Sequence, residues 1–316
     1  MAIFKPEVYH GFKKQSNFFE GWYYKLATKD KRRTIALIPG VSIGDSMNSS
    51  HSFIQFIDSN NKTEYVRFSI DDFKADKDKF KVTIDGNLFD GDHVNIHIDN
   101  PSLSLKGEVN FENKHPWPVS VFSPGAMGWY SYIPFMECYH GVISMDHDLE
   151  GQIELNSELI DFDGGKGYIE KDWGKSFPSA WIWLQSNHFE LDKSSIMVSV
   201  ATIPWMGRNF TGFIVGLLNA GKLYRFATYN GSKLRELQIL DDRVLLVFDR
   251  RNYTLKVEAF RTDGGELKSP VMGNMEGRIN ETLSARVNVS LTYKSEMLFC
   301  GTGTNAGLEV VGNLVL

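Results

Sequence analysis

The chain has 316 residues, 42% of them hydrophobic and 23% charged, with a formal net charge of −5. That is the composition of an ordinary soluble globular protein, and the scattered Lys and Arg argue against nucleic-acid binding, which rests on a basic stripe. The length exceeds the size at which one hydrophobic core usually stops growing, so two domains or one large barrel-like body are expected.

The opening text, "MAIFKPEVYHGFKKQ", is polar and broken by Pro6, unlike a signal peptide. No run approaches the roughly 20 apolar residues of a membrane-spanning helix. The reducing cytoplasm is therefore the expected compartment, with Cys138 and Cys300 as free thiols. Aromatic residues reach 13%, with 22 Phe and 12 Tyr, more than a plain core requires. That excess suits all-β packing or an apolar cavity.

In chain order, the basic run "KDKRR" (Lys29 to Arg33) separates two strand-like segments and reads as a hairpin turn. It could touch an anionic membrane surface, although a solvated turn accounts for it. "HSFIQFID", "EYVRFSI", "FKVTID", "HVNIHID" and "LSLKGEVNF" then alternate in period two and close on Asn, Asp and Gly turns. "KHPWPVSVFSPGAMGWYSYIPF" (Lys114 to Phe135) lacks that regularity and predicts a long connection of the kind that is often functional. The second half returns to strands in "SIMVSVATI", "GFIVGLL", "LYRFATY", "RVLLVFD", "YTLKVEAF", "ARVNVSLTY" and "LEVVGNLVL". The expected class is all-β, as antiparallel sandwiches or barrels.

A weak internal repeat relates Trp22–Pro39 to Trp183–Pro204, about half a chain apart. Each copy starts at a tryptophan, passes a charged Asp-Lys turn and ends its strand at Ile-Pro. Two related β-domains are expected, residues 1–162 and 163–316, divided near "DFDGG".

In "WIWLQSN", alternation places Trp181, Trp183, Gln185 and Asn187 on one face, opposite Ile182 and Leu184. Two amides in line with two indoles suit a ligand cavity, because buried amides need partners. A half-exposed strand with its amides in water is the alternative. His51, Phe53 and Gln55 share a similar face, where His51 is either a proton-transfer group or a structural histidine. Glu20 in "NFFEGWYY" and Glu170 and Asp172 in "GYIEKDWG" are acids flanked by aromatics. Each is either a general acid with a pKa raised by its surroundings or a structural acid, capping a turn or paired with Lys25, Lys171 or Lys175. "MECYHG" puts Cys138 and His140 on one strand face with no orienting third group in view, and no second histidine lies at metal-ligand spacing. No metal site is expected. "CGTGTNAGLEVVG" imitates a dinucleotide fingerprint but runs into strand text, so it is rejected.

"SNFFEGWYYKL", "GKGYIEKDWGKSFPSAWIWLQSNHF" and the late "NAGLEVVG" together resemble the tocopherol cyclase family, with a likeness running from Ser16 to the last strand. The resemblance implies a pair of lipocalin-like β-barrel domains, related to carotenoid hydratase and lipocalin-like Diels–Alderase architectures. It implies a hydrophobic prenyl-quinol ligand closed to a chromanol without cofactor or metal, in an apolar aromatic pocket between the domains. Such chemistry needs an acid to protonate an alkene, and aromatic faces to stabilise the tertiary cation. The acid candidates are Glu170, Asp172 and Glu20. Trp22, Tyr24, Trp173, Trp181 and Trp183 are the aromatic candidates, with Gln185 and Asn187 orienting the quinol and His51 as a further ligand contact. A non-catalytic lipocalin-like carrier of a hydrophobic small molecule is the alternative function.

Overall fold

The computed structural model describes residues 2–46 and 48–316. Among them the chain forms 22 β-strands and a few short 3-10 turns, with no α-helix. Turn residues held at positive φ, among them Lys31, Asn61, Asp85, Asn113 and Asn156, reverse the chain between strands.

By its internal contacts the chain divides into two compact units. One comprises Met1–Phe177 with Glu266–Ile279, the other Pro178–Gly265 with Asn280–Leu316. The first sheet contains β1 (Phe18–Ala27), β2 (Thr34–Ile43), β3 (His51–Asp58), β4 (Thr63–Phe68), β5 (Phe73–Ala75) and β6 (Lys81–Ile84). It continues with β7 (Asn87–Asp90), β8 (His93–Asp99), β9 (Ser104–Glu112), β10 (Cys138–Leu155), β11 (Glu158–Asp161) and β12 (Gly165–Gly174). The second contains β13 (Trp181–Ser186), β14 (Ser195–Trp205), β15 (Arg208–Asn219), β16 (Lys222–Ala227) and β17 (Lys233–Ile239). Its remaining strands are β18 (Arg243–Arg250), β19 (Tyr253–Phe260), β20 (Gly265–Val271), β21 (Asn274–Tyr293) and β22 (Glu296–Val311).

The two sheets share one wiring plan. The first runs β4-β3-β2-β1-β12-β10-β9-β8-β7-β6-β5, and the second β16-β15-β14-β13-β22-β21-β19-β18-β17. In each, the opening strand pairs with both the next strand and the last one, all antiparallel. This is the antiparallel all-β class that the strand pattern predicts, in the tandem, lipocalin-like form that the family resemblance implies.

The boundary between the units lies at Phe177/Pro178 rather than at 162/163. The reason is β12, which is hydrogen-bonded between β1 and β10 and so completes the first sheet instead of opening the second. The DFDGG stretch is the turn that returns the chain from β11 into β12.

Each unit has its own core. Trp22, Tyr24, Leu37, Phe56, Phe89 and Ile153 are among the side chains that fill the first. Ile182, Leu184, Val198, Val215, Phe248 and Val287 belong to the second. Each such side chain contributes about 1.5–3 kcal/mol on burial. Strands β9 and β10 approach closely where Gly151, at φ +130°, faces the backbone of β9. A Cβ there would stand 2.2 Å from the Glu108 carbonyl oxygen, so only glycine fits.

Candidate active site

Strand β12 carries two chemistries, one on each face. Its sequence Tyr168-Ile169-Glu170-Lys171-Asp172-Trp173 alternates, so Tyr168, Glu170 and Asp172 project to one side and Ile169, Lys171 and Trp173 to the other. Ile169 and Trp173 pack with the core of the first unit. The acids Glu170 and Asp172 are therefore separated by the sheet from Trp22 and Trp173, the indoles expected to flank them.

On the acid side, register places His140 of β10 directly opposite Asp172. His140 Nδ1 lies 3.0 Å from Asp172 Oδ1, and Nε2 lies 3.7 Å from Glu170 Oε2. The Tyr168 hydroxyl donates to Glu170 Oε2, fixing that carboxylate from its far side. Glu170 is 4% exposed and Tyr168 fully buried. Burial pulls the His140 pKa down, but the carboxylates of Asp172 and then Glu170 outweigh it and hold the imidazole up at about 9. It is thus an imidazolium at neutral pH, a single cation between two carboxylates. Its Nε2–H is buried and meets no hydrogen-bond acceptor among the described residues. The Cys138 thiol adjoins the group, 3.9 Å from Asp172 Oδ1. Burial, reinforced by Asp172, keeps that thiol protonated, so it is no nucleophile here.

His140, Glu170 and Asp172 are also the group, among the described residues, whose donor atoms lie close enough together to hold a metal ion, within 4.8 Å of one another. The imidazole offers opposite nitrogens to the two acids, an arrangement suited to a shared proton. A divalent cation would have to displace that proton to bind.

On the core side, Lys171 is fully buried and ion-paired to Glu20 Oε1. Its ammonium also donates to the carbonyls of Pro6 and Val8 and to His10 Nδ1, and lies 4.9 Å from the Trp22 ring and 4.7 Å from the Trp173 ring. Burial lowers the Lys171 pKa to about 8 despite the attraction of Glu20. The His10 backbone N–H donates to Glu20 at 2.9 Å, and the His10 ring stacks on Trp173 at 4.4 Å. Glu20 is therefore committed to an ion pair that clamps the N-terminal segment, one of the two alternatives its sequence leaves open. Trp22 and Tyr24 are both fully buried in the packed core. Their polar ends donate to the carbonyls of Glu7 and Asp90, at 2.8 and 2.9 Å. Those partners are the ones a packed core supplies.

His51 stands apart from both groups. Its Nε2 meets the Tyr65 hydroxyl at 2.5 Å and its Nδ1 the Ser49 carbonyl at 2.9 Å, and burial lowers its pKa. It lines an open cleft of about 530 Å³ together with Arg67, Phe68 and Asp71.

In the second unit, Ile182 and Leu184 enter the core, while Trp181, Trp183 and Gln185 occupy the other face of β13, as alternation predicts. All three are nevertheless buried, Gln185 completely, and Asn187 just beyond the strand is 6% exposed. The Trp181 indole N–H donates to Glu309 Oε2 at 2.5 Å.

His140 and Tyr168 are the side chains of this array that reading the sequence left without a role. The E-C-Y-H spacing displays His140, but its acidic partners lie on a different strand. Only the β10–β12 register brings them together.

The doubled, lipocalin-like sheet plan has counterparts among solved structures. CghA with bound Sch210972 superposes with a TM-score of 0.62 at 9% identity, covering 93% of this chain and 88% of that one. A protein assigned to AttH from Nitrosomonas europaea gives 0.54 at 14%, covering 92% of each chain. At such identities the likeness concerns the fold alone. Sequence narrows the class: the family model described as tocopherol cyclase-like matches residues 108–312, which include His140, Tyr168, Glu170 and Asp172. The chain belongs to the tocopherol cyclase-like family. A rice (Oryza sativa subsp. japonica) protein named "Probable tocopherol cyclase, chloroplastic" is 24% identical over 197 residues. That match covers 58% of this chain and 42% of the rice protein, so the chain spans less than half of that relative's length.

Proposed function

We propose that the protein is an acid–base catalyst of intramolecular ring closure on a prenylated quinol or a related isoprenoid. The observation that carries this reading is the array of half-buried His140 and Asp172 with buried Glu170 and Tyr168, with an imidazolium Nε2–H that has no hydrogen-bond acceptor among the described residues. In this reading the proton on His140 Nε2 passes to the less substituted carbon of the prenyl double bond. The tertiary cation that results is stabilised by the two carboxylates beside it. The phenol oxygen then forms the new C–O bond, and the phenolic proton returns to the array. One proton leaves and one comes back, so the reaction is an isomerisation with no net redox change. In this reading the bound substrate itself must exclude water, which would otherwise capture the cation.

One observation favours a second reading, a non-catalytic carrier. An imidazolium held up at about 9 releases its proton reluctantly. Incubating the purified protein with prenylated benzoquinols, followed by mass spectrometry and chromatography for chromanol, separates the two. The cyclase reading expects product with wild type and none with His140→Gln. A carrier returns the quinol unchanged from both.

A further inference from the structure

From Pro116 to Met136 the chain has 21 residues without a single Asp, Glu, Lys, Arg or His, in a protein that is otherwise 23% charged. This connection between β9 and β10 contains only one short 3-10 turn, Gly128–Tyr132, and a bridge between Ser120 and Ser123. It displays its large apolar side chains outward. Phe122 is 90% exposed, Val121 66% and Phe135 65%, with Trp129, Tyr132 and Val119 each more than 40% exposed. The presentation is built rather than frayed. Trp117, Ala126 and Met127 are buried as anchors, Tyr132 donates to the Val121 carbonyl, and Ser131 donates to the Pro124 carbonyl at 3.0 Å. The loop is also tied to the strand that bears the candidate site. The His140 backbone N–H donates to Met127 Sδ at 3.1 Å, and the Tyr139 hydroxyl donates to the Ile133 carbonyl at 2.5 Å.

We propose that this uncharged aromatic loop is a membrane-docking surface that inserts into the headgroup region of a phospholipid bilayer. Trp and Tyr are enriched at that boundary, where rings sit among headgroups, while protruding Phe and Val reach the acyl chains. A protein partner would be met by a rim that includes charged side chains, whereas the stretch from Pro116 to Met136 carries no charge, and its Ser131 and Tyr132 hydroxyls are spent on the loop's own carbonyls. The binding energy here is apolar burial, so salt has little hold on it. The proposal does not depend on the reaction assigned to the site.

The test is flotation of the full chain with phosphatidylcholine vesicles free of any quinol, at about 0.1 and 0.5 M NaCl, ionic strengths that bracket strong screening. Wild type floats at both. Phe122→Ser/Phe135→Ser binds roughly tenfold more weakly or worse, as expected for withdrawing exposed phenyl rings from lipid. Its thermal unfolding is unchanged, because Phe122 and Phe135 are largely exposed. A control with Lys31→Ser/Arg32→Ser, in the basic turn between β1 and β2, floats like wild type. The proposal is overturned if wild type stays in solution or if the loop variant floats undiminished. It is equally overturned if binding vanishes at high salt together with the basic turn, or if light scattering shows the loop pairing two copies of the chain without lipid.

Discussion

His140 and Asp172 face each other across the β10–β12 pair, with Nδ1 and Oδ1 3.0 Å apart, and their pairing fixes the charge of the candidate site. The imidazole pKa, held at about 9 against an ordinary 6.5, means that folding takes up a proton above neutrality. The stability His140 contributes is complete below about pH 6.5 and is lost as pH rises through about 9. His140→Gln should flatten the fall in melting temperature between those limits. In the wild type, NMR should show one histidine ring titrating near 9; a ring titrating near 6.5 instead would contradict the pairing.

The buried Lys171–Glu20 pair should behave as a unit. Lys171→Met alone leaves the Glu20 carboxylate buried without its cation, at a cost of about 3–5 kcal/mol. The double variant Glu20→Gln/Lys171→Met should recover most of that loss. Denaturant unfolding of the single and double variants measures the coupling directly.

His147 sets an acid limit. Its Nδ1 lies 3.0 Å from the Ser144 hydroxyl, and the ring fills the space over Gly167, where a Cβ would stand 2.2 Å from Nε2. Burial lowers its pKa to about 3, helped by the positive charge of Lys114. The unfolded chain takes up a proton here that the folded chain refuses, so stability falls as pH drops below about 6.5, by roughly 1.4 kcal/mol per unit down toward 3. Urea unfolding at pH 7, 5.5 and 4.5 should show this slope, and His147→Leu should reduce it.

If the array works by proton transfer, a metal ion is not needed. Turnover should survive prolonged dialysis against EDTA, and added Zn²⁺ should inhibit by competing for His140, Glu170 and Asp172. A loss of activity on chelation, restored by a divalent ion, would assign those three side chains to a metal instead.

The all-β class was legible because period-two text and turn residues are local signals. "HSFIQFID" and "YTLKVEAF" coincide with β3 and β19 residue for residue. Alternation gave the face of Trp183, but the repeat did not reveal that Trp22 takes the opposite one. Trp22 and Trp183 sit on equivalent strands, yet Trp22 enters its core while Trp183 takes the opposite face from the core residues Ile182 and Leu184. A single-residue offset in β register inverts every side chain, and a motif aligned by eye does not detect it. The pairing of Glu20 with Lys171 was one of the alternatives its sequence context offered. The site around Glu170 and Asp172 was half legible: the acids stood out, but their cation did not. His140 comes from a strand 32 residues away from Asp172, and register, a property of the assembled sheet, decides which acids it meets.

The central claim is proton transfer to carbon by the His140 array. It is tested most directly by running the reaction with a prenylated benzoquinol in D₂O and measuring the mass of the chromanol. The account predicts a cyclised product carrying one non-exchangeable deuterium, with turnover reduced about 100-fold or more by His140→Gln. Quinol recovered unchanged from the wild type, or chromanol formed at the same rate by His140→Gln, would contradict it.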